Sequence, residues 1–266
     1  MTASLPRLVA TDLDGTLVHS DGTVTGRTRS VLADLERRGV LVVFVTGRPL
    51  RWAEEVFEHV GGHGLAVVSN GALVWDVPAR AVRLLRAMQP AVGAEVCRLL
   101  RTAVPGSSFA VETLDGIALE PDFMDRHPVP EGSRRGHIEE VFDAPAIKLL
   151  ARHEELGAQE FWNLASAAVG DRAVITWSSA TTLLEISAAG VTKASTLALV
   201  AEDLGVQAGD VVAFGDMPND LAMLAWAGTS YAMANAHPTV LAAADHVAPH
   251  HDQDGVAQVL GDIFDL

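Results

Sequence analysis

Leu8-Val9-Ala10-Thr11-Asp12-Leu13-Asp14-Gly15-Thr16 is the stretch from which the rest of the chain can be read. An apolar run that breaks into two carboxylates, a glycine and a hydroxyl predicts a buried strand, Leu8 to Ala10, ending in a loop that carries chemistry. The pattern continues downstream. Arg27 to Arg38 predicts a helix closed by Gly39, Val40 to Val45 an apolar strand, and Pro49 the start of a second helix, where a missing amide proton does no harm. Leu65 to Val68 predicts a third strand, stopped by Ser69-Asn70-Gly71. Uniformly apolar strands separated by helices imply an α/β fold with a parallel sheet covered on both faces.

The same alternation returns near residue 192. Thr192 can cap a helix running to Leu204 with Gly205 beyond it, and Val211 to Phe214 is again a continuous apolar strand. Asn219 to Ala227 predicts a short helix, Ser230 to Met233 a weak strand, and Asn235 to Ala244 another helix. Val247-Ala248 and Gly255 to Leu260 predict a last strand and a closing helix. The middle reads differently. Ser108 to Leu119 resembles a hairpin turning at Asp115-Gly116, Glu120 to Ala144 an irregular excursion, Ala146 to Leu150 a strand, Glu155 to Gly170 a helix, and Val174 to Ile186 more strand, centred on Ser178 to Thr182. The expected organisation is a core of residues 1–80 and 188–266 interrupted by an inserted α+β domain at 81–187.

Composition narrows the function. The 266 residues carry a formal net charge of -15 and a pI near 4.9. Such a balance argues against a nucleic-acid backbone or an anionic membrane as partner. A phosphate site would then have to be built locally, from backbone amides, a lysine or a bound cation. With Cys97 alone, neither an internal disulfide nor a thiolate metal cluster can form. Without a long apolar leader or a run of about 18 apolar residues, the expectation is a cytoplasmic protein with no membrane association, monomeric or homodimeric.

Four segments carry chemistry, each just past an apolar strand or at a helix start, where open α/β sheets bind ligands. A tight turn at Gly15 would gather Asp12 and Asp14 around one small space. One carboxylate could attack a phosphoryl group while the other protonates the leaving alcohol, and a bound Mg²⁺ would relieve their repulsion. In Thr46-Gly47-Arg48-Pro49 the hydroxyl and the amides of a helix start could hold phosphoryl oxygens, with Arg48 assigned an ion-pair role first. Lys193 lies in the first turn of a helix, where a cation opposes the helix dipole unless it reaches an anion. In Gly215-Asp216-Met217-Pro218-Asn219-Asp220, Asp216 is placed as a hard oxygen ligand and Asp220 to orient a metal-bound water or Lys193.

Together these segments resemble the haloacid dehalogenase superfamily of aspartate-dependent phosphohydrolases. Asp12-Leu13-Asp14-Gly15-Thr16 matches its first motif, Thr46-Gly47-Arg48 the second, Lys193 the third, and Gly215-Asp216 with Asn219-Asp220 the fourth. The insertion after the third strand, with Ser69-Asn70-Gly71-Ala72, Glu185-Ile186, Ala232-Met233-Ala234-Asn235-Ala236 and Asp254-Gly255-Val256-Ala257, looks most like the Cof-type branch. The resemblance implies a Rossmann-like parallel-sheet core with an α+β cap. It implies Asp12 as nucleophile and Mg²⁺ ligand, and Asp14 as general acid/base that binds the metal through its backbone carbonyl. It further implies Thr46, Gly47, Lys193 and Asn219 around the phosphoryl group, Asp216 on the metal, and Asp220 in the shell behind it. The implied activity is Mg²⁺-dependent hydrolysis of a small phosphorylated metabolite; a phosphosugar mutase with the same aspartyl-phosphate, or a noncatalytic phosphoaspartate switch, are the alternatives.

Other features are read more plainly. His250-His251-Asp252 with Asp254 matches no strong metal spacing, because adjacent histidines usually point apart, so a loop-stabilising or solvent-facing role is expected. The five tryptophans are expected to pack. Gly61-Gly62-His63-Gly64 has no following helix and is no dinucleotide loop. Arg126 and His127 are candidate substrate contacts in the cap.

Overall fold

The structure is a computed structural model that describes residues 5–60, 62, 64–125, 128–177 and 182–266. The chain divides into two compact units, one running to Leu84 and resuming at Thr192, the other spanning Leu85–Val191.

The first unit opens with β1 (Leu8–Thr11), α1 (Gly26–Arg37), β2 (Leu41–Val45), α2 (Leu50–His59) and β3 (Leu65–Val68), as the apolar runs predict. Two strands that the sequence pattern did not announce follow, β4 (Leu73–Asp76) and β5 (Ala81–Leu85). β4 turns back antiparallel to β3, and β5 is an exposed edge whose side chains show no alternation of burial. The second unit holds α3 (Pro90–Ala103), β6 (Ser108–Thr113), β7 (Gly116–Leu119), β8 (Arg134–Arg135), α4 (Ile138–Val141), β9 (Lys148–Arg152), α5 (Ala158–Val169), β10 (Ala173–Thr176) and β11 (Leu183–Ala188). The first unit then closes with α6 (Lys193–Asp203), β12 (Val211–Gly215), α7 (Leu221–Trp226), β13 (Thr229–Met233), α8 (Pro238–Leu241), β14 (His246–Ala248) and α9 (Gly255–Phe264).

The eight strands of the first unit run in the order β14-β13-β12-β1-β2-β3-β4-β5. The pairs from β14 to β3 are parallel. β1, β2 and β12 are buried along nearly their whole length, which is why they are written in Val, Leu, Ala and Phe without alternation. Helices pack in pairs, α1 with α9 and α6 with α7. From β1 the sheet grows one way through β2 and the other through β12. That switch point opens a crevice beyond the carboxyl ends of these two strands. The register puts Thr11 opposite Phe214, so Asp12 and Asp216 leave the sheet side by side.

In the second unit the strand order is β10-β11-β9-β6-β7-β8. One face of this sheet, with Phe109, Val111, Leu149, Ala151, Leu184 and Ile186, joins Val96 and Leu100 of α3 and Phe161 of α5 in a separate core. On the opposite face Lys148 Nζ is paired with Glu185 at 2.6 Å, both largely buried.

Several expectations change. The excursion at 120–144 contains the two-residue strand β8 and the single-turn helix α4. The helix expected from Asn235 shrinks to four residues, because His237 caps it by accepting from the Thr239 amide while Asn235 turns inward. Helix α3 was not anticipated, although Pro90 at its start and Val96, Cys97 and Leu100 on one face were its signals. Of the strand centre expected at Ser178–Thr182, residues 178–181 lie outside the described residues and Thr182 is a bend before β11; the cap candidates Arg126 and His127, with Gly61 and His63, also lie outside the described residues. Trp162 stacks on Trp177 at 6.4 Å and donates to the Ile175 carbonyl, a packing role.

Candidate active site

Asp12 emerges from β1 with its amide donating to the Phe214 carbonyl at 3.1 Å. Its carboxylate is buried and meets Lys193, whose Nζ lies 2.7 Å from Asp12 Oδ1 and 2.7 Å from Asp220 Oδ1. The helix carrying Lys193 is capped by Thr192, which exchanges hydrogen bonds with Ser195, so the unfavourable dipole position is offset by two direct carboxylate contacts. Asp220 Oδ2 accepts from the amides of Asp216 and Met217 at 3.1 and 3.0 Å. One carboxylate thus fixes both the ammonium and the turn that presents Asp216. Thr16 Oγ1 donates to Asp216 Oδ1 at 3.3 Å. Gly15 has φ +71°, and a Cβ there would collide with the Asp216 carboxylate; only glycine lets the two loops approach this closely.

Oxygens from Asp12, Asp216 and Asp220 all lie within 4.8 Å of one another. Three buried carboxylates face one ammonium, which leaves negative charge uncompensated. Burial pushes the Asp12 carboxyl well above the usual carboxylate range, Lys193 opposing and the other acids adding to it. For Asp216 burial and then the Asp220 charge raise the pKa to about 7 against the pull of Lys193. Burial works against the Lys193 ammonium, yet Asp12 and Asp220 outweigh it and hold its pKa above the ordinary value. An all-oxygen donor set with excess negative charge fits a hard divalent cation.

Asp14 behaves differently. Its side chain is 57% exposed and is gripped at two points by Arg48, Nε on Oδ2 at 2.8 Å and Nη2 on Oδ1 at 2.5 Å. Thr46 is fully buried, with its amide on the Val67 carbonyl and its Oγ1 accepting from the Arg48 amide at 3.0 Å. Gly47 lies in the bend between them. Asn219 sits in the turn before α7 and donates from Nδ2 to Asn70 Oδ1 at 3.2 Å.

Two supports were not visible as such in the sequence. Asn235 Nδ2 donates to the Gly15 carbonyl at 2.7 Å, while its Oδ1 accepts from the His251 amide at 3.1 Å. Asp254 Oδ1 accepts from Thr25 Oγ1 and Thr28 Oγ1 at 2.7 and 3.1 Å and pairs with His19 Nε2 at 3.0 Å. The segment at 250–252 also brings ligand atoms within 4.8 Å, and, against expectation, the rings of His250 and His251 stack at 4.7 Å. Its donors are engaged, however: His251 Nδ1 with the Val18 carbonyl at 2.8 Å, and Asp252 with the amide and hydroxyl of Ser20. The segment braces the loop that begins at Asp12.

A lysine-anchored acidic cluster at the switch point of a parallel sheet is a setting for aspartate-based phosphoryl chemistry. A family model described as haloacid dehalogenase-like hydrolase matches residues 9–260, and the chain belongs to that family. It is 28% identical over 256 residues to 5-amino-6-(5-phospho-D-ribitylamino)uracil phosphatase YcsE of Bacillus subtilis (strain 168), covering 96% of this chain and 94% of that one. It is 31% identical over 270 residues to an HMP-PP phosphatase of Serratia proteamaculans (strain 568), covering 96% and 94%. Among solved structures, SMU.1108c from Streptococcus mutans UA159 shares the fold with a TM-score of 0.86 at 24% identity, over 99% of this chain and 100% of that one. Among the described residues no helix is long and apolar enough to cross a membrane.

Proposed function

We propose that this chain hydrolyses a small phosphomonoester, a sugar phosphate or related metabolite, through an aspartyl-phosphate on Asp12 with Mg²⁺ as the cation. The observation that carries this reading is the buried contact between Lys193 and Asp12 inside the cluster with Asp216 and Asp220. In the proposed assignment Asp12, Asp216 and the Asp14 backbone carbonyl hold Mg²⁺, with Asp220 behind them; when bound, the ion supplies positive charge against the phosphoryl oxygens and the buried acids.

A carboxylate must be ionised to attack phosphorus. Burial works against that state at Asp12, and the ammonium at 2.7 Å works for it. Asp12 attacks in line, the P–O bond to the alcohol breaks, and Asp14 delivers a proton to the departing oxygen. Asp14 then takes a proton from water as that water attacks the acyl-phosphate, freeing inorganic phosphate and restoring Asp12. Arg48 holds Asp14 by both oxygens, so proton delivery requires the carboxyl to turn out of that grip. Thr46, Gly47, Lys193 and Asn219 are assigned to the phosphoryl group.

The inserted segment, 81–187, is assigned to substrate choice. A cytoplasmic setting fits a chain whose single cysteine has no pairing partner. The named substrates of the relatives, a phosphorylated ribitylaminouracil and HMP-PP, belong in the test panel.

The test is a phosphate-release screen with Mg²⁺ over sugar, flavin, pyridoxal and ribitylaminouracil phosphates and HMP-PP, run beside Asp12→Asn. Release by the natural chain that falls about three orders of magnitude or more in the variant is expected. Full metal-dependent activity in Asp12→Asn would sink the covalent route. Scoring free phosphate against isomerised sugar phosphate separates a hydrolase from a mutase.

A further inference from the structure

At the end of β3 the backbone does something unusual. Ser69 and Asn70 are successive non-glycine residues with φ of +50° and +54°, and both are buried. L-residues enter this region at a cost and remain there only where their surroundings over-determine them, which is most common at functional sites. The surroundings here are specific. The Ser69 amide donates to the Arg48 carbonyl at 2.9 Å and the Asn70 amide to the Thr46 carbonyl at 3.1 Å. Thr196 Oγ1 donates to the Gly71 carbonyl at 2.7 Å, and a Cβ on Gly71 would run into the Thr192 carbonyl. The turn is wedged between the Thr46–Arg48 bend and the start of the helix that carries Lys193.

From this turn the Asn70 side chain reaches the fourth segment of the site, accepting from Asn219 Nδ2 at 3.2 Å. Ser69 Oγ and Asn219 Oδ1 are buried without a hydrogen-bond partner among the described residues. Unsatisfied buried polar atoms beside a strained turn are costs that a purely structural turn has no reason to carry. An asparagine carboxamide has a broad, two-fold terminal torsion, so nothing in its own bonding decides whether its amino or its carbonyl group faces a ligand. An oxygen facing a phosphoryl group repels it, whereas an N–H binds it. The acceptor on Asn70 fixes that choice.

We propose that Asn70 is a positioning residue, carried on the strained Ser69-Asn70 turn to lock the Asn219 carboxamide in the orientation that offers its amino group to the phosphoryl group. This rests on the reading in which Asn219 serves the phosphoryl group. Asn70 acts through Asn219 and does not itself touch the substrate.

Asn70→Gly is the decisive variant, because glycine adopts the same backbone without strain and removes only the carboxamide. The experiment measures inhibition by inorganic phosphate, KM and kcat with p-nitrophenyl phosphate, and melting temperature for the natural chain, Asn70→Gly, Asn219→Ala and the double variant. Asn70→Gly is expected to melt within a few degrees of the natural chain, relief of strain opposing the lost buried hydrogen bond, while phosphate binding and KM weaken about five- to tenfold. The double variant is expected to bind phosphate no more weakly than Asn219→Ala alone. Unchanged phosphate binding in Asn70→Gly, or losses that simply add, would overturn the inference while leaving an Asp12-dependent phosphatase intact. A natural chain that neither binds phosphate nor releases it would overturn both readings.

Discussion

The ammonium of Lys193 lies 2.7 Å from Asp12 Oδ1 although 181 residues separate them in sequence, and a second carboxylate, Asp220, holds it from the other side. Because all three groups are buried, none can turn to water if a partner is lost.

Lys193→Met should therefore be costly in two ways. Removing one partner of a buried ion pair typically costs about 3–5 kcal/mol, since the remaining charges stay buried. Thermal or urea melts should show a loss of that order in metal-free protein, partly recovered by Mg²⁺. With Lys193 facing the phosphoryl group as proposed, phosphate release should fall about a hundredfold or more. A variant as stable and active as the natural chain would show the contact to be incidental.

The acidic cluster couples stability to pH in a direction opposite to most carboxylates. The folded-state pKa of Asp216 is raised to about 7 from an ordinary value of 3.8. The folded chain thus takes up a proton that the unfolded chain does not hold between those values. Stability falls as pH rises from about 4 to 7, by up to about 1.4 kcal/mol per pH unit for one group. Metal-free protein should melt higher near pH 6 than near pH 8, and Mg²⁺ should stabilise more at pH 8, where it competes with no proton. Asp216→Asn, melted alongside, should weaken both dependences, with the raised Asp12 carboxyl supplying what remains; undiminished dependences would remove Asp216 from the explanation.

Asp254 offers the contrasting case. Burial favours its neutral form, but hydrogen bonds from Thr25, His19 and Thr28 outweigh burial and hold its carboxyl below the usual range. A depressed pKa contributes stability above the unfolded value and loses it as pH falls through the folded one. Asp254→Ala deletes three partners at once and should cost about 2–3 kcal/mol. Asp254→Asn keeps an acceptor and tolerates the left-handed φ of +57°, so it should cost less. Its deficit relative to the natural chain should shrink below about pH 4. Melting curves from pH 3 to 8 decide this.

What the sequence disclosed followed the reach of its signals. The strands β1, β2, β3 and β12 are legible because each is buried and apolar along nearly its whole length. Asp12 and Asp216 stand directly past such runs, so their proximity followed from a parallel sheet with a switch point. The Asp14–Arg48 grip, the Asn219–Asn70 bond and the clamp of Asn235 on Gly15 were not legible. Each joins loops far apart in the chain, and local pattern says nothing about which side chains meet there. The helix expected over 235–244 failed for the same reason: a side chain needed by Gly15, and a histidine cap two residues later, override local helical pattern. The exposed edge strand β5 has no buried face to write an alternation into the sequence.

The clamp on the loop after β1 carries a consequence for the order of synthesis. Residues 12–28 are laid down early, yet their geometry depends on Asn235, His251, Asp252 and Asp254. A growing chain can pair β1 with β2 long before those four residues exist, but the loop has no outer brace until translation has passed them. The surroundings of Asp12 are thus completed only by residues made far later than β1, and a nascent chain that has not yet reached them carries Asp12 and Asp14 without the frame that aims them.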